Sequence, residues 1–162
     1  MKILFLDIDG VVNCATTTQR HRGFIGIDPM MAFLVGKITL AVPDLKVVLS
    51  SSWRHMTEGR EEVERQVVPI FDITPRREKG NLLRGDEIKA WLDSHELMKC
   101  DTPTSCPPFS RAMCMGHSIE KYAILDDDSD MLEEQLPNFF KTSWQTGITD
   151  EIAERVINHF QK

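Results

Sequence analysis

No stretch of this chain is long and apolar enough to cross a bilayer, which takes about 20 consecutive apolar residues. The first apolar run, Ile3-Leu4-Phe5-Leu6, is stopped by Asp7. That is well short of the roughly 7–15-residue core of a secretory signal. Both absences point to a cytoplasmic protein with no membrane partner. Cysteine is scarce: Cys14, Cys100, Cys106 and Cys114 show none of the paired spacings of a zinc site. Cys114 and His117 would supply two ligands where a structural site takes four. Reduced thiols are therefore expected. An excess of positive charge is missing too. Nineteen Lys and Arg stand against 25 Asp and Glu, for a net charge of -6 and a pI of about 5.4. That balance is unfavourable for a nucleic-acid binder, whose affinity rests on neutralising phosphates, so no stable bulk nucleic-acid binding is expected; local contact with a nucleic-acid end stays open. There is no internal repeat and no low-complexity tract. What remains is an ordinary globular composition, 41% apolar and 27% charged over 162 residues, enough for one domain spanning 1–162 with a real core. Its oligomeric state is not legible.

The pattern of what is present alternates strands with helices. Lys2 to Leu6 is too short and too apolar for a surface helix and reads as a buried strand. Polar residues from Cys14 to about Ile27 form a small insert. Asp28-Pro29 starts a helix, with Asp at the cap and Pro at the first helical position, running to about Ala41. Lys46 to Leu49 is a second buried strand, and Gly59 to Val67 a charged helix. Ile70 to Ile73 is a third strand, and Arg84 to His95 an amphipathic helix with Ile88, Trp91 and Leu92 on one face. An irregular excursion covers about 97–118. Tyr122 to Leu125 is a fourth strand, Met131 to Leu136 a short helix ahead of Pro137, and Asn138 to Thr142 a last strand. Thr149-Asp150-Glu151 opens the final helix. Such alternation implies an α/β fold with a central, mainly parallel sheet and helices on both faces.

Three of these strands run straight into polar clusters: Asp7/Asp9, Ser50-Ser51-Ser52 and Asp126/Asp127. In a parallel sheet all carboxyl ends lie on one edge, where open α/β sheets bind ligands. Buried carboxylates need a partner or a metal. Carboxylates gathered there suit Mg²⁺, a hard cation, which in turn suits a phosphate substrate. Each signal alone has a plainer reading. Asp-x-Asp-Gly also occurs in surface turns and calcium loops. Asp126 to Asp130 fits a solvated helix start. The serines fit a helix cap. Trp53 and Trp91 read as packing residues, and Arg54 either pairs with an acid or reaches substrate. The five histidines share no obvious partner.

Taken together, the clusters resemble the motifs of the haloacid dehalogenase (HAD) superfamily of phosphotransferases. Leu6-Asp7-Ile8-Asp9-Gly10-Val11-Val12 resembles its first motif, Val47-Val48-Leu49-Ser50-Ser51 its second and Ile124-Leu125-Asp126-Asp127 its fourth. Ser51-Ser52-Trp53-Arg54, Arg84 to Leu92, and Lys141-Thr142 with Gly147-Ile148-Thr149 resemble a narrower branch, the small HAD domains of RNA-repair proteins and phages. The resemblance implies a Rossmann-like HAD core with a minimal cap or none. It implies a Mg²⁺-dependent phosphatase acting on a small phosphomonoester, a nucleotide or a phosphorylated nucleic-acid end. Asp7 would be the nucleophile, forming an aspartyl-phosphate, and Asp9 the general acid and then base. Asp7 and Asp126 would hold Mg²⁺ with the Asp9 backbone carbonyl, and Asp127 would orient the metal waters. Ser51, with Ser50 as the alternative, would bind phosphate in the company of Gly10. The cation of the third motif would be Arg84 or Lys79. Other HAD-like outcomes are a catalytically degenerate binding module and phosphotransfer to an acceptor other than water.

Overall fold

The computed structural model describes residues 1–76, 83–97 and 119–162. Lys79 and most of the 97–118 excursion, with Cys100, Cys106, Cys114 and His117, lie outside the described residues. The apolar run that opens the chain is strand β1 (Lys2–Leu6), and it forms the centre of a five-stranded parallel sheet. On one side β1 pairs with β4 (Leu45–Leu49), and on the other with β6 (Lys121–Asp126). The short strands β5 (Asp72–Ile73) and β7 (Phe139–Lys141) form the edges. The chain leaves β1 toward one side of the sheet and later returns to the other, so β1 marks a topological switch point. Leu6 stands level with both Leu49 and Leu125. The Asp7 amide donates to Leu125 O and the Ser50 amide to Leu6 O, which brings Asp7, Ser50 and Asp126 to one level at the carboxyl edge.

Alternation along β1 divides the core in two. Leu4 and Leu6 face helices α1 (Pro29–Ala41) and α4 (Asp150–Gln161), packing with Leu34, Val35, Ile38, Val156 and Phe160. Ile3 and Phe5 face α3 (Arg84–Leu97), where Phe5 meets Trp91 edge-to-face at 5.3 Å. Every β1 side chain from Ile3 to Leu6 is fully buried, each contributing about 1.5–3 kcal/mol over exposure. A strand in such surroundings cannot shift register without losing both halves of the core. Asp28 caps α1 as expected, accepting from the amides of Met30 and Met31, and Thr149 caps α4.

Three expectations needed correction. The helix ahead of Pro137 is a 3-10 turn, Glu133–Asn138, that contains Pro137. A tight turn this short has no full α-helical ladder for a proline to interrupt. The third strand shrinks to Asp72–Ile73, although the Phe71 amide still bonds Val47 O. The helix after the serines starts earlier than Gly59, as α2 (Thr57–Gln66), and is preceded by a 3-10 turn, Ser52–His55. Within the insert near 14–27 a small hairpin forms, β2 (Arg20–His21) against β3 (Phe24–Ile25). It leans on α2 through His21–Glu62 at 3.5 Å and Arg22–Glu58 at 3.2 Å. No described helix is long and apolar enough to cross a membrane.

Candidate active site

The site grows from the end of β1. Asp7 is buried, 4% exposed, and the chain then tightens into a turn in which Ile8 O accepts from the amides of Val11 and Val12. Gly10 has φ +73°, and a Cβ there would lie 2.3 Å from the Asp127 carboxyl carbon. Only glycine both adopts this backbone and leaves room for Asp127. The Gly10 amide is spent on Asn13 Oδ1 at 3.0 Å, and its carbonyl accepts from the Thr142 hydroxyl at 2.7 Å. Gly10 thus supplies the turn that brings the first and fourth clusters together.

Asp7, Asp126 and Asp127 each present a carboxylate oxygen within 4.8 Å of the others. Asp126 is fully buried; one oxygen accepts from the Asp128 amide at 2.9 Å, and the other has no hydrogen-bond donor. Arg84 lies against both acids, its Nη2 3.5 Å from Asp7 and its Nε 3.3 Å from Asp126. Burial, aggravated by the neighbouring Asp7 charge, pushes the Asp126 carboxyl up to about 8. Burial likewise raises Asp7 to about 6, against the pull of Arg84 and a hydrogen bond from the Ser51 side chain. Burial and the Asp128 charge also raise Asp127. One arginine does not satisfy three crowded carboxylates. The Asp126 oxygen that has no hydrogen bond and only the Arg84 charge beside it, together with the all-oxygen donor set, fits a hard divalent cation.

A pH dependence follows from that crowding. Both carboxyls sit above their ordinary value of 3.8 in the fold. The stability they lend is therefore fully present below that value. It is lost as pH rises through about 6 and then about 8. Metal-free protein is expected to melt lower at pH 8.5 than at pH 5. Added Mg²⁺ should raise the melting temperature more at the higher pH, by at least about 2–4 °C, which is what about 1 kcal/mol produces in a domain of this size. Thermal melts at the two pH values, with and without Mg²⁺, check this. Equal melting in all four conditions would rule out a metal centre here.

The second cluster is organised by Arg54. The Ser51 side chain hydrogen-bonds Asp7 and accepts from the Trp53 amide, whereas the Ser50 hydroxyl is buried without a partner. Ser51, of the two, therefore faces Asp7. Arg54 is buried below, donating to Ser50 O at 2.8 Å, to Ser51 O at 2.7 Å and to Glu87 of α3 at 2.5 Å. The start of α3 is docked from the other direction. Asp130 accepts from the amides of Arg84 and Gly85, and Gln135 donates to Gly85 O. A Cβ on Gly85 would fall 2.6 Å from the Leu132 amide nitrogen. This close approach carries Arg84 to the carboxylates.

Asp9 lies outside the acidic trio. Its Oδ2 accepts from Trp53 Nε1 at 3.1 Å and its Oδ1 from Asn13 Nδ2 at 2.9 Å. Trp53 therefore does more than pack, and Arg54 takes the acid-pairing option of its two. The only sequence signal for Asn13 is its place four residues after Asp9, which a tight turn converts into contact. Glu87 shows itself only as an acid one turn after Arg84.

The sequence matches the family described as the HAD domain in Swiss Army Knife RNA repair proteins, over residues 3–153. Among solved structures, the HAD domain of effector protein Lem4 from Legionella pneumophila aligns with a TM-score of 0.49 and 18% identity, over 98% of this chain and 94% of that one. No curated protein matches.

Proposed function

Because the chain belongs to the family of HAD domains in Swiss Army Knife RNA repair proteins, we propose that it hydrolyses phosphomonoesters through an aspartyl-phosphate on Asp7, with Mg²⁺ as cofactor. The observation that carries this reading is the meeting of Asp7, Ser51, Arg84, Asp126 and Asp127 at one edge of the sheet, with Asp9 held beside them. Asp7 attacks phosphorus in line, and the bond to the ester oxygen breaks as Asp9 delivers a proton to it. Water then attacks the phosphorus of the aspartyl-phosphate, and Asp9 takes up the proton that water loses. Inorganic phosphate leaves and both carboxylates return to their starting states. Ser51 and Arg84 bind the phosphoryl oxygens; a guanidinium can contact two of them at once. Asp7 and Asp126, with Asp127 and the Asp9 carbonyl beside them, would hold Mg²⁺, which would supply the charge that lets an anionic substrate approach an anionic nucleophile.

The family's description supports a phosphorylated nucleic-acid end as substrate. The described part of the insert is only a two-stranded hairpin, which supports an edge open enough for a macromolecular end. A nucleotide or another small phosphomonoester fits the same chemistry. The test is a phosphate-release panel of oligonucleotides with 3′- or 5′-phosphate ends, nucleotides and sugar phosphates, with and without Mg²⁺. Release is expected to require Mg²⁺ and to be highest on one kind of end. Arg84→Ala should lower turnover by about 100-fold or more, with Lys79→Ala milder. A loss confined to Lys79→Ala would transfer the cation role to Lys79. Absence of release across the panel would favour a binding module that keeps the fold without turnover.

A further inference from the structure

We infer that Trp53, together with Asn13, is a positioning residue that fixes the Asp9 carboxylate for proton transfer; the inference rests on the acid–base role given to Asp9 above. Asp9 follows a strand rather than lying within one, and its side chain would be free to rotate were it unheld. Two donors remove that freedom. The Trp53 indole N–H takes one oxygen at 3.1 Å and the Asn13 amide the other at 2.9 Å. Both donors are themselves fixed. The Asn13 carbonyl oxygen accepts from the Gly10 amide at 3.0 Å. Trp53 is 5% exposed, and its ring meets that of His21 at 5.5 Å between centroids. His21 in turn pairs with Glu62 of α2.

Neither donor can exchange the catalytic proton, since an indole N–H donates only and an amide does not titrate. A carboxylate offers about four lone-pair sites, so two donors leave room for the proton that Asp9 carries. The clamp can therefore orient without blocking. Its placement also ties the two carboxylates together. Ser51, which bonds Asp7, caps the same 3-10 turn that carries Trp53, and Arg54 of that turn grips the Ser50 and Ser51 carbonyls. Nucleophile and acid are thus referenced to a single braced turn, which is what in-line attack with simultaneous protonation requires.

Trp53→Phe keeps an aromatic ring against His21 and removes the N–H together with part of the ring's volume; the volume loss would act on both substrates alike, so the N–H is read from the difference between them. The readout is kcat/KM, which covers steps up to rupture of the ester bond, on two leaving groups. p-Nitrophenolate departs without a proton, whereas a ribose alkoxide needs one. Trp53→Phe is expected to lower kcat/KM about 10–100-fold on a nucleoside monophosphate and less than about 3-fold on p-nitrophenyl phosphate. Asn13→Ala should show the same bias, and Asp9→Asn a deeper version of it. An equal loss on both substrates, or none, would overturn the clamp. If Asp7→Asn and Asp9→Asn are also indifferent, the phosphatase reading itself fails. A spectroscopic check needs no turnover. Asp9→Asn should shift the Trp53 indole N–H proton resonance, and an unmoved resonance would show that the contact is not made.

Discussion

Asp7→Asn is expected to abolish turnover, by at least about four orders of magnitude, while leaving the fold intact. The substitution is nearly isosteric; it replaces one carboxylate oxygen by an amide nitrogen and removes the negative charge that makes the group a nucleophile. Its effect on stability should be opposite in sign. Burial holds the Asp7 carboxyl up at about 6, and the Asp7 charge helps to push Asp126 to about 8. A neutral amide relieves that repulsion, so the metal-free variant should melt higher than the parent at pH 8, and the stabilisation conferred by Mg²⁺ should shrink. Single-turnover phosphate release and thermal melts in the absence of metal measure the two effects. An Asp7→Asn protein within about tenfold of the parent rate would mean that another group attacks phosphorus.

The largest expected loss of stability belongs to Arg54→Ala. The Arg54 side chain is 3% exposed and that of Glu87 16%. Removing the guanidinium leaves a largely buried carboxylate without its cation and deprives the Ser50 and Ser51 carbonyls of their side-chain donor. Breaking a buried pair from one side costs about 3–5 kcal/mol, a large part of the roughly 5–15 kcal/mol that holds a domain folded. Urea unfolding should show the midpoint falling with an unchanged slope. Replacing both partners, as Arg54→Met with Glu87→Met, should recover most of the stability, because no unpaired charge is then buried. It should not recover activity, because the carbonyls behind Ser51 still lack their brace. A loss below about 1 kcal/mol for Arg54→Ala would mean that water replaces the guanidinium at little cost.

The sequence alone was enough for the elements that depend on local pattern. The run Ile3 to Leu6 can only be a buried strand, and Asp28-Pro29 and Thr149 are caps whose chemistry acts within three residues. These set the strand–helix alternation, and through it the one edge where Asp7, Ser51 and Asp126 gather. The first, second and fourth motifs were legible for the same reason, each lying within a few residues of a strand end, whereas the third, with no described strand end beside it, stays open between Arg84 and Lys79. The 3-10 turn at Glu133–Asn138 has the sequence pattern of a short α-helix, because apolar spacing does not distinguish one turn of 3-10 from one of α.

What only the tertiary structure decided is which side chains act on those motif residues from elsewhere in the chain. Trp53 reaches Asp9 across 44 positions, Arg54 reaches Glu87 across 33 and Arg84's amide reaches Asp130 across 46. No spacing rule encodes such pairs, since each depends on how two elements pack. The crowding that raises Asp126 and Asp7 is also a property of packing. A carboxylate's identity is written in the chain, but its charge is set by the burial and the neighbours that folding gives it.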